Sequence, residues 1–215
     1  MTEHLFARTV RERFGGRLAR GTHEADSVAC PLEAAHAAVG DPWSDRPDKW
    51  PDIRPLADAP WSSDQARTEA MVPVLVAYWD WAAWTPARQQ AVMAQVVIET
   101  VRQLIAQLPE LPEAVRDQCR AARTLPQAVR AAAAVRAAVR AVGAARAAAP
   151  AVGAARAAFR AAAWAFRAAA GAVGAAAAEG AAEAAAWAAA WAAEAQADAV
   201  LIRACQIWIA ATTAG

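Results

Sequence analysis

Hydrophobic positions in this chain follow helical spacing wherever they follow a period at all, and no stretch alternates as a half-buried strand would. The clearest helix begins at Thr85-Pro86, a capping hydroxyl followed by proline at the first helical position. Behind it Val97, Val101, Leu104, Ile105 and Leu108 recur at i, i+4, i+7, i+8 and i+11, one apolar stripe that Leu108-Pro109 then breaks. Upstream, residues 2–20 predict a basic amphipathic helix ending at Gly21, with a break at Gly15-Gly16. Residues 27–39 predict a second, short helix, with Pro31 near its first turn and Gly40 at its end. Ser62 or Ser63 caps a further helix running to about Trp81 and bent at Pro73. A short helix resumes at Pro112 and ends near Thr124.

Between these helices lies a stretch of another kind, from Asp41 to Asp64. Pro42, Pro47, Pro51, Pro55 and Pro60 are interleaved with Trp43, Trp50 and Trp61 and a series of aspartates. Prolines at this density exclude both helix and central strand. An extended, polyproline-like segment over about 41–61 is expected, draped across helices with its tryptophans as anchors.

From Ala121 to Ala199 alanine fills 45 of 79 positions, which favours helix because alanine has almost no side-chain entropy to lose. The rare bulky residues there carry the pattern. Val135, Val139 and Val142 share one helical face, away from Arg130, Arg136 and Arg140. Val152, Phe159, Phe166 and Val173 recur every seven residues, a seam with one large residue per repeat. Gly143, Pro150, Gly153, Gly171 and Gly174 interrupt the tract, which predicts helices over 125–148, 151–170 and 175–211. The last regains an ordinary apolar stripe through Trp187, Trp191, Ile202, Cys205 and Ile209. The expected fold is all-α: a helical bundle of close-packed alanine-rich helices crossed by the extended proline-rich segment. Two regions are expected, 1–120 and 121–215.

Charge divides the same way. Residues 1–120 are net −4 and residues 121–215 net +5, and no acid lies between Asp117 and Glu179. Opposite charge predicts that the alanine tract docks on residues 62–120, and otherwise that it meets an anionic partner. One lysine stands against 21 arginines, a bias that GC-rich codon use also produces. Three widely spaced cysteines, Cys30, Cys119 and Cys205, make no disulfide framework and suggest a reducing, cytoplasmic setting. The charged N-terminus has no apolar stretch of the signal-peptide kind. Each charge at the centre of a membrane-spanning helix costs about 2.5–3.5 kcal/mol, and the arginines recur through the tract, so no membrane partner is expected.

Four groups of residues carry candidate chemistry. Arg130, Arg136, Arg140, Arg146, Arg156, Arg160 and Arg167, with Arg123 ahead of them, form a ladder that could neutralise the phosphates of a nucleic acid. The alternative is that they solubilise an alanine surface or pair with acids such as Asp45, Asp48, Asp52 and Asp58. The stretch Arg8 to Gly21, with paired glycines among arginines, could cradle a phosphate, although a helix break with a solvated basic face explains it as well. His23, Asp26, Cys30 and His36 are zinc-ligand types at a spacing that matches no finger or ribbon, so no metal is assigned. Asp58, Trp61, Asp64, Arg67, Trp79, Asp80 and Trp84, with Glu69, Trp81 and Glu99 nearby, could line a small-molecule or catalytic pocket. Their plainer reading is a tryptophan-rich core in which Asp58 and Asp64 cap and Arg67 bridges. No cofactor fingerprint and no serine-nucleophile motif is present, and no catalytic residue is assigned. A threonine-alanine ice-binding surface is excluded by the absence of threonine between Thr124 and Thr212.

Cys30 to Trp84, CPLEAAHAAVGDPWSDRPD…PDIRPLADAPWSSDQARTEAMVPVLVAYWDWAAW, is followed by LPELPEAVRDQC, an alanine repeat and the ending VLIRACQIWI. This plan resembles a group of bacterial and phage-encoded alanine-rich repeat proteins with a proline- and tryptophan-containing N-terminal region. The repeat alone is similar to that of alanine-rich immunity proteins. Neither resemblance brings an assigned activity or a site residue. The sequence therefore points to a non-enzymatic intracellular interaction or structural protein, acting through helix packing on a protein partner or on itself. A nucleic-acid-associated protein using the arginine ladder is the alternative, and a binder or enzyme using the tryptophan-acid cluster the third reading.

Overall fold

Five helices of this chain begin where a side chain, of His4, Cys30, Ser63, Thr85 or Thr124, accepts a hydrogen bond from a backbone N–H that the helix itself leaves unpaired. The computed structural model describes residues 3–146 and 194–213, apart from 22, 25–27, 60 and 110. Its helices are α1 (Leu5–Arg13), α2 (Pro31–Val39), α3 (Arg54–Ala57), α4 (Asp64–Ala77), α5 (Pro86–Gln103), α6 (Glu113–Ala121), α7 (Leu125–Arg146) and α8 (Glu194–Thr213). The fold is all-α, with no strand among the described residues. The predicted helix 151–170, the heptad seam Val152, Phe159, Phe166 and Val173, and Trp187 and Trp191 lie outside the described residues, as do the side chains of Val139 and Val142.

Ser63 caps α4 by accepting from Ala66 N at 3.1 Å, and Thr85 caps α5 from Arg88 N at 3.3 Å. Before α7 the sequence Thr124-Leu125-Pro126-Gln127 acts as a capping box: Thr124 Oγ1 accepts from Gln127 N, and Gln127 Oε1 accepts from Thr124 N at 3.1 Å. α2 uses cysteine in that role. Cys30 Sγ accepts from Glu33 N, while the Glu33 carboxylate accepts from Cys30 N. Gly40, at φ +73°, ends α2 in a left-handed conformation that a side chain would disfavour.

Three expectations change. The helix expected over 2–20 and ending at Gly21 is α1 alone, and residues 14–21 are non-helical. Proline does not exclude helix throughout 41–61: one turn, α3, forms with Pro55 in its first turn, where a missing N–H forfeits no bond. The rest of the segment is non-helical, and Trp50 and Trp61 are buried anchors with Trp43 half-buried. α4 ends at Ala77 rather than Trp81: the backbone leaves helical geometry at Tyr78, whose ring is buried. The helix continues through Pro73, which sits on its exposed side, where water can take the freed carbonyl.

Packing has a clear order. α1 and α2 pack on each other and on α4; α7 packs on α5 and α6; α8 packs on both α4 and α5. From α8, Leu201, Ala204, Cys205, Ile207, Trp208 and Ala211 are buried. Tyr78 OH donates to Trp208 O at 2.9 Å, and Cys205 Sγ lies 3.9 Å from Met71 Sδ. At the rim, Ser62 donates to Asp198 through both its N–H (2.9 Å) and its hydroxyl, and Arg203 donates to Gln103. α7 is seated by its smallest face: Ala128, Ala131, Ala132 and Val135 are buried, whereas Arg130 and Ala137 are exposed. The described parts of the alanine tract thus dock through apolar surface. Among the described residues, Asp52 pairs with Arg54 and Asp58 accepts from Gly21 N.

Close approach of α7 leaves no room for a larger side chain. Ala132→Leu is expected to destabilise the fold by about 1–3 kcal/mol through overpacking, although leucine is a good helix former. Ala137→Leu, on the exposed side, should stay within about 0.5 kcal/mol of the wild type. Urea unfolding followed by circular dichroism measures both, and equal effects at the two positions would contradict this placement of α7.

Candidate functional site

Two buried charged side chains organise the polar interior, and the sequence-predicted pocket meets one of them. Arg67 lies one turn into α4 and is only 4 % exposed. Its Nε donates to Ala57 O at 2.9 Å, at the end of α3, and its Nη1 donates to Leu18 O at 3.2 Å and to the Asp64 carboxylate. The neighbouring Thr68 Oγ1 accepts from Leu18 N at 2.7 Å and donates to Asp64 O at 2.6 Å. Leu18 is therefore held through both its N–H and its carbonyl. Asp58, just after α3, accepts from Gly21 N at 2.9 Å, and buried Trp61 donates from Nε1 to Leu56 O at 3.0 Å. Asp58, Trp61, Asp64 and Arg67 thus come together, and their polar atoms are directed at the chain's own backbone.

The second node is Glu33, fully buried on α2. Oε1 accepts from His23 N at 2.7 Å, and Oε2 accepts from Cys30 N at 2.7 Å and from His23 Nδ1 at 2.9 Å. One carboxylate thereby gathers the loop before α2 onto the helix start. Trp43 Nε1 donates to His23 O at 2.7 Å and adds the proline-rich segment to the same cluster. His36 faces elsewhere: Nε2 lies 2.9 Å from Arg46 O and Nδ1 3.3 Å from Asp41 Oδ2, which also pairs with Lys49 at 2.6 Å. That lysine holds the Asp41 carboxyl below its ordinary range. His23, Cys30 and His36 do not converge, Asp26 lies outside the described residues, and among those described no three metal-ligand types are placed to hold one ion.

The remaining pocket residues separate into two aromatic clusters. Trp79 packs against Trp50 (centroids 5.7 Å), Phe6 (5.8 Å) and the edge of His4 (4.9 Å). Trp84 packs against Trp81 and Tyr78 at 5.4 and 5.8 Å, with the Arg88 guanidinium 4.0 Å above its ring. Consecutive residues Tyr78 and Trp79 point into different clusters. Asp80 is exposed at the start of a short 3-10 turn, Trp81–Ala83. Glu99 accepts from Gln95, Arg102 and Gln103 of its own helix.

Of the arginine ladder, Arg130 is exposed on α7. Arg136, Arg140 and Arg146 lie on the same helix, but their side chains are outside the described residues, as are Arg156, Arg160 and Arg167 altogether. Arg123, just before α7, donates to Ala122 O at 3.1 Å and to Arg120 O. The cysteines are buried and free. Burial, reinforced by the Glu33 carboxylate, pushes the Cys30 thiol up to about 12; burial alone raises Cys205 to about 12 and Cys119 to about 11. At neutral pH all three are thiols, not nucleophilic thiolates.

Glu33, Thr68 and the Ser62–Asp198 contact were not legible as functional in the sequence. A signal existed for Glu33 alone: it stands three residues after a helix-capping position, as in a capping box, but with cysteine where serine or threonine is usual. No protein-family model matches this chain, and no curated protein or solved structure does.

Two measurements check these assignments. Arg67→Met strands the Ala57 and Leu18 carbonyls and should cost about 3 kcal/mol in urea unfolding. Arg67→Lys, a point charge without the fork, should recover less than half of that. A loss under about 0.5 kcal/mol for Arg67→Met would remove the clamp role. For the cysteines, a disulfide reagent at pH 8 should find no reactive thiol in the folded protein and three after denaturation. Because the thiol values are raised, reactivity should stay low up to about pH 11 unless the fold opens first.

Proposed function

We propose that this protein works by binding rather than by catalysis, as a helical scaffold whose alanine-rich helices pack on a protein partner or on a second copy. The observation that carries the reading is the seating of α7 on α5 by Ala128, Ala131, Ala132 and Val135, a face of small side chains that lets backbones approach closely. The polar interior supports it. Arg67 and Glu33 spend their hydrogen bonds on the chain's own loops, an arrangement that positions elements and leaves the surface to make contacts. Membership of the alanine-rich repeat group belongs to the same proposal. Three buried free cysteines fit a reducing, intracellular compartment. No helix among the described residues is long and apolar enough to cross a membrane.

Affinity capture with the full chain from extract of its native host, with and without nuclease, tests the proposal beside light scattering across a wide concentration range. A specific protein retained after nuclease treatment, or a mass that grows with concentration, is the expected result. Capture that collapses under nuclease, together with a concentration-independent monomer mass, would overturn it.

A further inference from the structure

Residues 8–20 carry five arginines, Arg8, Arg11, Arg13, Arg17 and Arg20, and all five are exposed. Packing explains two of them. Arg11 is bonded to Glu3 (2.7 Å) and Glu12 (3.1 Å). Arg13 lies over the Phe14 ring at 5.6 Å, in the last turn of α1, where a cation complements the helix dipole. Arg8 stands on the outward side of α1 and adds only a longer-range attraction to Glu3. Arg17 and Arg20 follow on the non-helical segment, and none of these three makes an ion pair among the described residues. Residues 3–21 are net +3.

The side chains between these arginines point inward and fix the surface. Phe6, Val10, Phe14 and Leu18 are all buried, and Leu18 is clamped by Arg67 and Thr68. About 8 Å of helix axis separates Arg8 from the end of α1, and Arg17 and Arg20 follow within seven residues of that end. Gly15, Gly16 and Gly21 have φ of +59°, +74° and +84°, and no atom lies within 4 Å of where a Cβ would be, so the backbone beside the arginines is uncovered. The glycine pair also ends α1, with Gly16 N donating to Val10 O at 3.0 Å.

From this frame we infer that the outward face of α1 and the loop to Gly21 is an interaction surface for the phosphate backbone of a nucleic acid, with Arg8, Arg17 and Arg20 as the contacting side chains. Arginine's planar fork suits phosphate oxygens. The surface from Arg8 to Gly21 exposes no large apolar side chain, whereas a protein interface needs an apolar centre. Phe6 and Val10 commit the apolar side of α1 to the core, and the one exposed large apolar side chain of the helix, Leu5, is too little for it to insert into a lipid boundary as an amphipathic anchor does. This surface uses other residues than the arginine ladder and the small-residue face of α7, and does not depend on the scaffold reading.

The test is a salt titration of the full chain with a labelled DNA or RNA duplex, read by fluorescence anisotropy. Three phosphate contacts predict a slope near 2.7 in log affinity against log salt, about a 40-fold loss between 50 and 200 mM. Arg8→Gln, Arg17→Gln and Arg20→Gln together should remove that part of the slope with an unchanged circular dichroism spectrum. The corresponding triple lysine variant should restore it. Arg130→Gln, Arg136→Gln and Arg140→Gln together should leave it in place. No binding at low salt, a loss that follows the α7 variant instead, or tighter binding to phosphatidylserine vesicles than to either duplex would each overturn the inference.

Discussion

The packing of α8 back onto α4 and α5 is the constraint on which the rest of this structure depends. α4 carries α1 and α2, and α5 carries α6 and α7; α8 packs on both α4 and α5. It does so with a broad apolar stripe centred on Trp208, which has no solvent exposure. The Tyr78 hydroxyl, buried and held neutral because burial raises its pKa, donates to the Trp208 carbonyl. This contact joins residues 130 apart in sequence.

Polar groups inside the bundle serve the same end. A buried guanidinium or carboxylate is costly unless each donor or acceptor is matched. Arg67 is matched by two carbonyls and a neighbouring carboxylate, and Glu33 by two backbone N–H groups and an imidazole. Each gathers loops that have little regular structure of their own, the segment after α1 in one case and the turn before α2 in the other. The proline-rich segment adds tryptophans to this arrangement: Trp61 and Trp43 both give their indole N–H to backbone carbonyls while their rings fill space. Asp58, Trp61 and Arg67 thus help hold non-helical chain against helices.

The outer surface has the opposite character. Exposed ion pairs on α6, where Glu113 and Asp117 meet Arg116 and Arg120, keep that helix locally neutral. The outer face of α1 is not balanced in this way: residues 3–21 are net +3. On α7, Ala128, Ala131, Ala132 and Val135 turn to the core while Arg130 is exposed.

Much of the local structure was written in the sequence. Thr85-Pro86, Ser63, Pro31 with Gly40, and the break at Gly15-Gly16 each mark a helix end through chemistry confined to a few neighbouring residues, and all of them stand. Helical class follows from the 3.6-residue period and from alanine, both local properties. The partition of the tryptophan-acid cluster was beyond reach, because Tyr78 and Trp79 enter different clusters only after α4 ends early, and that ending depends on burial against α1 and α8. Arg67 read equally well as a pocket cation or a bridge; its two carbonyl partners come from segments 10 and 49 residues away, a convergence that no spacing rule encodes. Which surface each alanine-rich helix covers was likewise decided only in three dimensions, since alanine offers any neighbour the same small side chain and leaves the choice to the surrounding core.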